Sequence, residues 1–423
     1  MQNPIRRNLV IQQGYFARVK WLTFWFQLLS LILVLFLNIE ALTNTTLYFS
    51  LLLIALTFLS NILIQKLTKG ESYLLLITNM LFSIGVVMIY RLNPNLGSRQ
   101  LLFYSVGVVI FFITYFILKY TGHFWKDKAL VFYLLTVALL GVTLVFGKTL
   151  GGATNWFVIF GVQVQPGEFA KISYAFFVAS LFTLKDEKRK EWVSYILMIA
   201  TYILIGIFLL QRELGFAAIF YVTMLCAQIA FSKKRIPILL NLVLIVIGLY
   251  LAYQLFGHVK VRFDIWIDPW TDMDGTGYQI TQSLFAVASG GLFGQGIGLG
   301  SPGSIPLAYS DFIFPSIVEE MGIFMGIGIL LLYLILFYRG LKISLFQRDS
   351  FYRVLSLSIA MMFAAQAFIV VGGVLKVIPL TGLTLPFMAH GGSSLLTSFC
   401  LMGVLQFCSE DHTDTEEVYH EEQ

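Results

Sequence analysis

"KKRIPILLNLVLIVIGLYLAYQLF", residues 233–256, decides the class of fold. Lys233, Lys234 and Arg235 precede a run from 237 to 256 that holds no charged residue. A helix needs roughly 20 mostly apolar residues to cross the hydrocarbon core of a bilayer. The run meets that length, and its basic flank marks the cytoplasmic side under the positive-inside rule. The same pattern recurs in both directions. Apolar runs lie near 22–39, 46–65, 73–91, 101–119, 129–147, 169–185, 193–210, 214–231, 313–338, 354–373 and 392–408, about twelve with the first. Over 423 residues the chain is 58% hydrophobic and 12% charged, against about 25% charged in soluble domains. The spacing predicts an all-α polytopic membrane protein without a soluble domain.

Sidedness follows from the loops. With a cytoplasmic N-terminus, the inside segments hold Lys66 and Lys69; Lys119, Lys126 and Lys128; Lys185, Lys188, Arg189 and Lys190; the 233–235 cluster; and Arg339, Lys342, Arg348 and Arg353. With Arg6, Arg7, Arg18 and Lys20, about 20 of the 28 basic residues fall inside. Both termini are therefore expected in the cytoplasm. The first apolar run is too long for a signal-peptide core, so no cleavable leader is expected. Cys226, Cys400 and Cys408 sit in or beside apolar runs, with neither metal spacing nor a disulfide framework. The acidic tail 409–423 reads as solubilising.

This topology leaves three sizeable outside segments, 148–168, 257–312 and 374–391. The middle one far exceeds an ordinary connection, and it contains "DPWTDMDGTGYQ", residues 268–279. Asp268, Asp272 and Asp274 crowd into seven residues flanked by Arg262, Trp266 and Trp270. Asp, Pro and Gly are ordinary turn formers, so a solvated turn is one reading. The other is a functional cluster: neighbouring carboxylates repel, which raises one pKa and suits a general base or a divalent cation such as Mg or Mn. "GYQITQSLFAVASGG" follows and is too short to span, so it is expected to be interfacial or re-entrant. "GGLFGQGIGLGSPGS", 290–304, lacks the GK[ST] ending and the strand–turn–helix setting of a nucleotide loop. It reads as a flexible loop or a close backbone approach to a ligand.

Ionisable residues at membrane depth are costly and are functional candidates by default. Glu168 and Lys171 open the sixth run, and Arg212 and Glu213 occupy the turn after the seventh. Asp311, Glu319 and Glu320 lead into the tenth, with Asp311 and Glu319 about two helical turns apart. Lys376 starts the last outside segment. The structural alternative pairs Glu168 with Lys171, and Arg212 with Glu213, as braces between helices. His390 lies near these groups, but a lone histidine is more often structural.

Six motifs in order, "GGATNW", "QVQPGEFAK", "QRELGFA", the stretch from Arg262 through "DPWTDMDGTGYQITQSLFAVASGGLFGQGIG", "SDFIFPSIVEEMG" and "IPLTGLTLPFMAHGGSS", resemble the SEDS family (RodA/FtsW/SpoVE-like) of bacterial envelope proteins. The resemblance covers about residues 73–408. It implies a ten-helix core over 71–408, with residues 1–70 adding about two helices and 409–423 forming a tail. It also implies a peptidoglycan glycosyltransferase of the cytoplasmic membrane that polymerises lipid II at the outer face. Implied partners are a class B penicillin-binding transpeptidase and other elongasome or divisome proteins; no nucleic acid is implied.

The family's essential aspartate falls on Asp272, and its motif tryptophan on Trp156. Gln279 and Ser393 lie in the shared motifs and join Glu168, Lys171, Arg212, Glu213, Arg262, Asp311, Glu320 and Lys376 as expected substrate-binding residues. This chain departs from the family at Asn155, Arg212, Glu213 and His390. Chemically, one inverting displacement with a pyrophosphate leaving group needs only one base on the acceptor hydroxyl. The competing reading is a lipid II flippase, which would want polar groups near the midplane, reached from both faces.

Overall fold

Inside hydrocarbon every backbone N–H and C=O must be satisfied within the protein, so apolar runs become helices. The computed structural model describes residues 20–30, 32, 44–150, 153–159, 162–184, 192–232 and 234–410. In chain order the helices are α1 (Asn44–Leu67), α2 (Tyr73–Leu92), α3 (Pro94–Thr121), α4 (Ala129–Phe146), α5 (Pro166–Phe182), α6 (Val193–Leu210), α7 (Leu214–Phe231) and α8 (Ile236–Leu255). There follow α9 (Gly257–Ile267), α10 (Tyr278–Gly290), α11 (Ile313–Phe346), α12 (Ser350–Val374) and α13 (Gly392–Cys408). Among the described residues, nine helices are long and apolar enough to cross a membrane.

The difference from twelve expected runs has local causes. The run at 22–39 is described only at 20–30 and 32, where it is helical. The runs at 169–185 and 392–408 form α5 and α13, each 17 residues. Pro166 starts α5 three residues early, at the first helical position, where a missing N–H costs nothing. The acidic residues beyond 410, and the basic ones at 6, 7, 18, 185–190 and 233, lie outside the described residues.

The most enclosed spanning helices are α2 and α12, while α4, α8 and α11 show most of their surface outward. Several helices are inverted relative to those of soluble proteins. The stretch 20–30 buries Thr23, Gln27 and Ser30 and exposes Trp21, Leu22, Trp25 and Leu29. Its Gln27 donates to Thr57 of α1 at 2.9 Å and to Ser83 of α2 at 2.6 Å. Asn79 of α2 donates to Ser60 and Asn61 of α1, both at 2.9 Å, and accepts from Tyr104 of α3 at 2.8 Å. Buried side-chain hydrogen bonds thus fasten the first two helical segments to the rest, as polar residues do where lipid removes the hydrophobic drive.

Segment 148–168 is not a plain loop. It holds an antiparallel meander in the order β1 (Lys148–Leu150), β2 (Ala153–Ile159) and β3 (Val162–Val164). Phe157 pairs with Val164, and Lys148 with Trp156. Segment 257–312 contains α9, a 3₁₀ turn at Pro269–Asp272, the non-spanning α10 and the glycine-rich stretch.

That stretch approaches the protein's own backbone, not an open ligand site. Gly322 breaks α11 with φ 82°, and the amides of Gln295 and Gly296 donate to the carbonyls of Glu319 and Glu320, each at 2.9 Å. The break frees those carbonyls, and buried carbonyls need donors. A Cβ on Gly294 would come within 2.3 Å of the Glu320 carbonyl oxygen, so glycine is required there.

Asn79→Leu leaves Tyr104 and Asn61 without this partner. It is expected to destabilise the folded protein by about 1–3 kcal/mol, as measured by unfolding in detergent; an unchanged midpoint would show that the polar contacts carry no stability.

Candidate active site

The Asp272 loop is built by short-range hydrogen bonding. Asp268 caps the 3₁₀ turn by accepting from the Trp270 amide at 3.0 Å. Asp272 Oδ2 accepts from both the amide and the hydroxyl of Thr276, each at 2.7 Å. The amides of Gly275 and Gly277 donate to the Asp272 carbonyl. A Cβ on Gly275 would lie 2.4 Å from the Asp272 carboxylate, and one on Gly277 2.3 Å from the Pro269 carbonyl. The "DGTGY" glycines therefore let the turn close around the carboxylate.

These contacts correct two expectations. The Thr276 amide and then its hydroxyl hold the Asp272 carboxyl below the usual aspartate range, not above it. Asp268 is turned to Trp270, and Asp274 stands exposed at the tip. Among the described residues, no three His, Cys, Asp or Glu side chains are grouped to hold a metal ion, so the loop is not a three-carboxylate cage.

Asp272 is exposed and borders a pocket of about 160 Å³ lined by Val261, Ile265, Asp268, Pro269 and Thr276. Drug-sized ligands occupy roughly 300–1,000 Å³. The pocket therefore fits one reacting fragment and not a whole lipid-linked molecule.

A second polar centre is buried. Glu168 and Lys171, in the first turns of α5, pair at 2.6 Å with both side chains almost fully enclosed. The expected brace is present, but its further partners were not visible in the sequence. Lys171 donates to Gln366 of α12 at 2.9 Å, and Glu168 accepts from Thr397 of α13 at 3.0 Å. Gln366 in turn donates to the Thr384 carbonyl at 2.8 Å. Its one signal was being the only side-chain amide in an otherwise apolar run.

Beside this pair lies a third group. Glu213, buried, accepts from the side-chain amide of Asn155 on β2, whose own carbonyl oxygen has no partner. Burial pushes the Glu213 carboxyl up to about 8, Arg262 opposes the shift, and Asp311 and Glu168 add to it. Burial also raises half-buried Asp311 to about 6, against the Ser310 hydrogen bond and Arg262. One guanidinium thus faces two carboxyls, and near neutral pH one of them keeps its proton.

The remaining candidates separate. Arg212 is exposed and left-handed at φ 64°, whereas its neighbour Glu213 is buried. Asp311 precedes α11 instead of lying on it two turns from Glu319. Glu320 pairs with Arg91 of α2 at 3.1 Å and accepts from the Gly298 amide, fastening the glycine-rich stretch. The Ser393 hydroxyl accepts from the Gln165 amide at 3.4 Å. Trp156, Gln279 and Lys376 are half-buried, and Lys376 is left-handed at φ 58°. His390 donates its backbone amide to the Tyr309 carbonyl. Thr276, Gln366 and Arg91 are the site-forming residues the sequence did not single out.

A multi-helix membrane bundle with one exposed aspartate loop above buried ion pairs defines a polytopic membrane protein with a polar site at one end. Residues 71–414 match the family model described as cell cycle protein, covering FtsW, RodA and SpoVE. The chain is 34% identical over 365 residues to the peptidoglycan glycosyltransferase RodA of Mycobacterium tuberculosis, spanning 79% of this chain and 77% of the relative. It is 33% identical over 361 residues to stage V sporulation protein E of Bacillus subtilis, spanning 80% and 97%. A solved structure described as "Structural coordination of polymerization and crosslinking by a peptidoglycan synthase complex" matches with TM-score 0.69 and 25% identity, over 80% of this chain and 97% of that one. The Thermus thermophilus RodA crystal structure shares the fold at TM-score 0.59 and 23% identity, over 81% and 97%. The chain belongs to the FtsW/RodA/SpoVE family, the SEDS proteins.

Lys171→Met strands the buried Glu168 and is expected to cost about 3–5 kcal/mol. The double change Glu168→Gln with Lys171→Met should cost less, because no unpaired charge remains. Unfolding in detergent compares them; equal losses would mean that the charges are not coupled.

Proposed function

We propose that this protein is a peptidoglycan glycosyltransferase that polymerises lipid II at the outer face of the bacterial cytoplasmic membrane, with Asp272 as general base. The observation that carries the assignment is the Asp272 carboxylate itself. It is exposed, held by Thr276 and the glycine turn, and set on a pocket of single-fragment size. Relatives about a third identical over four-fifths of the chain are named as peptidoglycan glycosyltransferases.

In this reading the GlcNAc 4-hydroxyl of one lipid-linked chain attacks C1 of MurNAc on the other. The new C–O bond forms as the bond to the lipid pyrophosphate breaks, and the hydroxyl proton passes to Asp272. The pyrophosphate leaves as a stabilised anion, so no general acid is required, and a single displacement inverts the α linkage to β. Asp272 is ionised at working pH and ready to accept the proton.

Lys171 is already paired with Glu168. We assign the role of counter-charge to the diphosphate to the exposed Arg212 and the half-buried Lys376. Trp156, Gln279 and Ser393 are assigned to the sugar and peptide portions. A Mg or Mn ion, if used, would come with the diphosphate, since these ions are commonly held by one or two carboxylates together with substrate phosphates.

The basic loop distribution supports a cytoplasmic placement of both termini and an outward Asp272 loop. The synthase complex that this chain resembles couples polymerisation to crosslinking, which supports a class B penicillin-binding transpeptidase as partner. The site opens through an exposed loop and not at a midplane cavity reached from both sides, so the flippase reading draws no support from it.

Asp272→Asn is expected to abolish glycan-strand synthesis from lipid II in reconstituted membranes; polymerisation at the wild-type rate would remove the assignment. Because the Asp272 pKa is depressed, the acidic limb of kcat/KM should lie below the usual aspartate range. Thr276→Val deletes one donor, weakens the ionised form and should move that limb to higher pH, as a pH–rate profile will show.

A further inference from the structure

We infer that Trp266 and Ser283 are positioning residues, which with Arg262 clamp both sides of the Asp272 loop to the turn that ends α12. This rests on the assignment of Asp272 above. The two helices flanking the loop reach the same short stretch of backbone. From α9, Arg262 Nη1 donates to the Leu380 carbonyl at 2.9 Å and Trp266 Nε1 to the Lys376 carbonyl at 3.2 Å. From α10, the buried Ser283 hydroxyl donates to the Val374 carbonyl at 2.8 Å.

Arg262 and Trp266 are four residues apart and so share one face of α9. Val261 and Ile265, also four apart, form the adjoining face and line the Asp272 pocket. One helix therefore holds the turn with one face and shapes the pocket with the next. Apolar packing does little to fix it: of the eleven residues of α9, only Val259 is buried. Directional hydrogen bonds are left to set its position.

The turn is suited to receive them. The last carbonyls of a helix have no intrahelical donor, and Val374 ends α12. Beyond it the chain folds back on α12, with the Val377 amide donating to the Gly372 carbonyl at 2.7 Å and Lys376 left-handed. Farther along the same segment, the Thr384 carbonyl accepts from Gln366, the partner of Lys171. The clamp thus ties the exposed Asp272 loop to the buried Glu168–Lys171 pair.

Trp266→Phe keeps an aromatic ring, though a smaller one, and removes the donor; Ser283→Ala removes only the hydroxyl. In the full-length protein, hydrogen exchange is read on the segment holding the Thr276 and Gly277 amides, both bonded to Asp272. Each variant is expected to exchange there about fivefold faster. Its kcat for strand synthesis should fall by a comparable factor, with KM for lipid II and the unfolding midpoint unchanged. Unaltered exchange in both variants overturns the clamp. Faster exchange with unaltered kcat overturns the positioning role. A rise in KM alone would instead make these residues substrate contacts, and likewise overturns it. If wild-type protein makes no glycan strands while both variants exchange faster, the clamp stands and the glycosyltransferase reading falls.

Discussion

Polar groups enclosed in a membrane bundle must find partners, and that constraint organises this protein. Glu168 and Lys171 illustrate it: each is buried, each compensates the other, and their remaining valences go to Thr397 and Gln366 on two other helices. One ion pair thereby joins α5, α12 and α13. The same rule explains the fastening of the N-terminal helices by Gln27 and Asn79, and the lid of glycine-rich backbone over the broken start of α11. Apolar surface makes the helices, but lipid rewards its exposure as much as its burial. Paired polar groups choose the neighbours.

The site has two tiers that follow from this. Above is Asp272, exposed and ionised, held by a turn whose glycines make room for the carboxylate. Below are charges with their own protein partners, in which Arg262 faces Asp311 and a protonated Glu213. Asp272 is exposed, whereas Glu213 is buried and Asp311 half-buried. The lower tier fixes where the upper one sits, through α9 and the 374–384 segment.

Much of this was legible in the residues. Charge-free runs and their basic flanks showed a multi-span protein, and the aspartate loop stood out because it breaks that pattern. The Glu168–Lys171 brace was one of the two readings open in the sequence, because charges at membrane depth usually pair. Other features did not follow. The three aspartates look like one cluster in sequence, yet Asp268 caps a turn, Asp274 stands exposed, and the Asp272 pKa falls because the Thr276 hydrogen bonds outweigh desolvation. Glu320 resembles a ligand residue but is spent on Arg91, 229 positions away in sequence. Gln366 and Arg91 gave little sign, since a single polar residue does not announce which distant helix will meet it.

The sequence by itself determined the membrane class, the helical state and the family motif that contains Asp272, because hydropathy, charge asymmetry and short motifs are local properties of the chain. Tertiary structure decided which charges are compensated, which glycines face backbone and which carbonyls hold the loop. Those outcomes depend on contacts between residues such as Lys171 and Gln366, or Trp266 and Lys376, that only helix packing brings together.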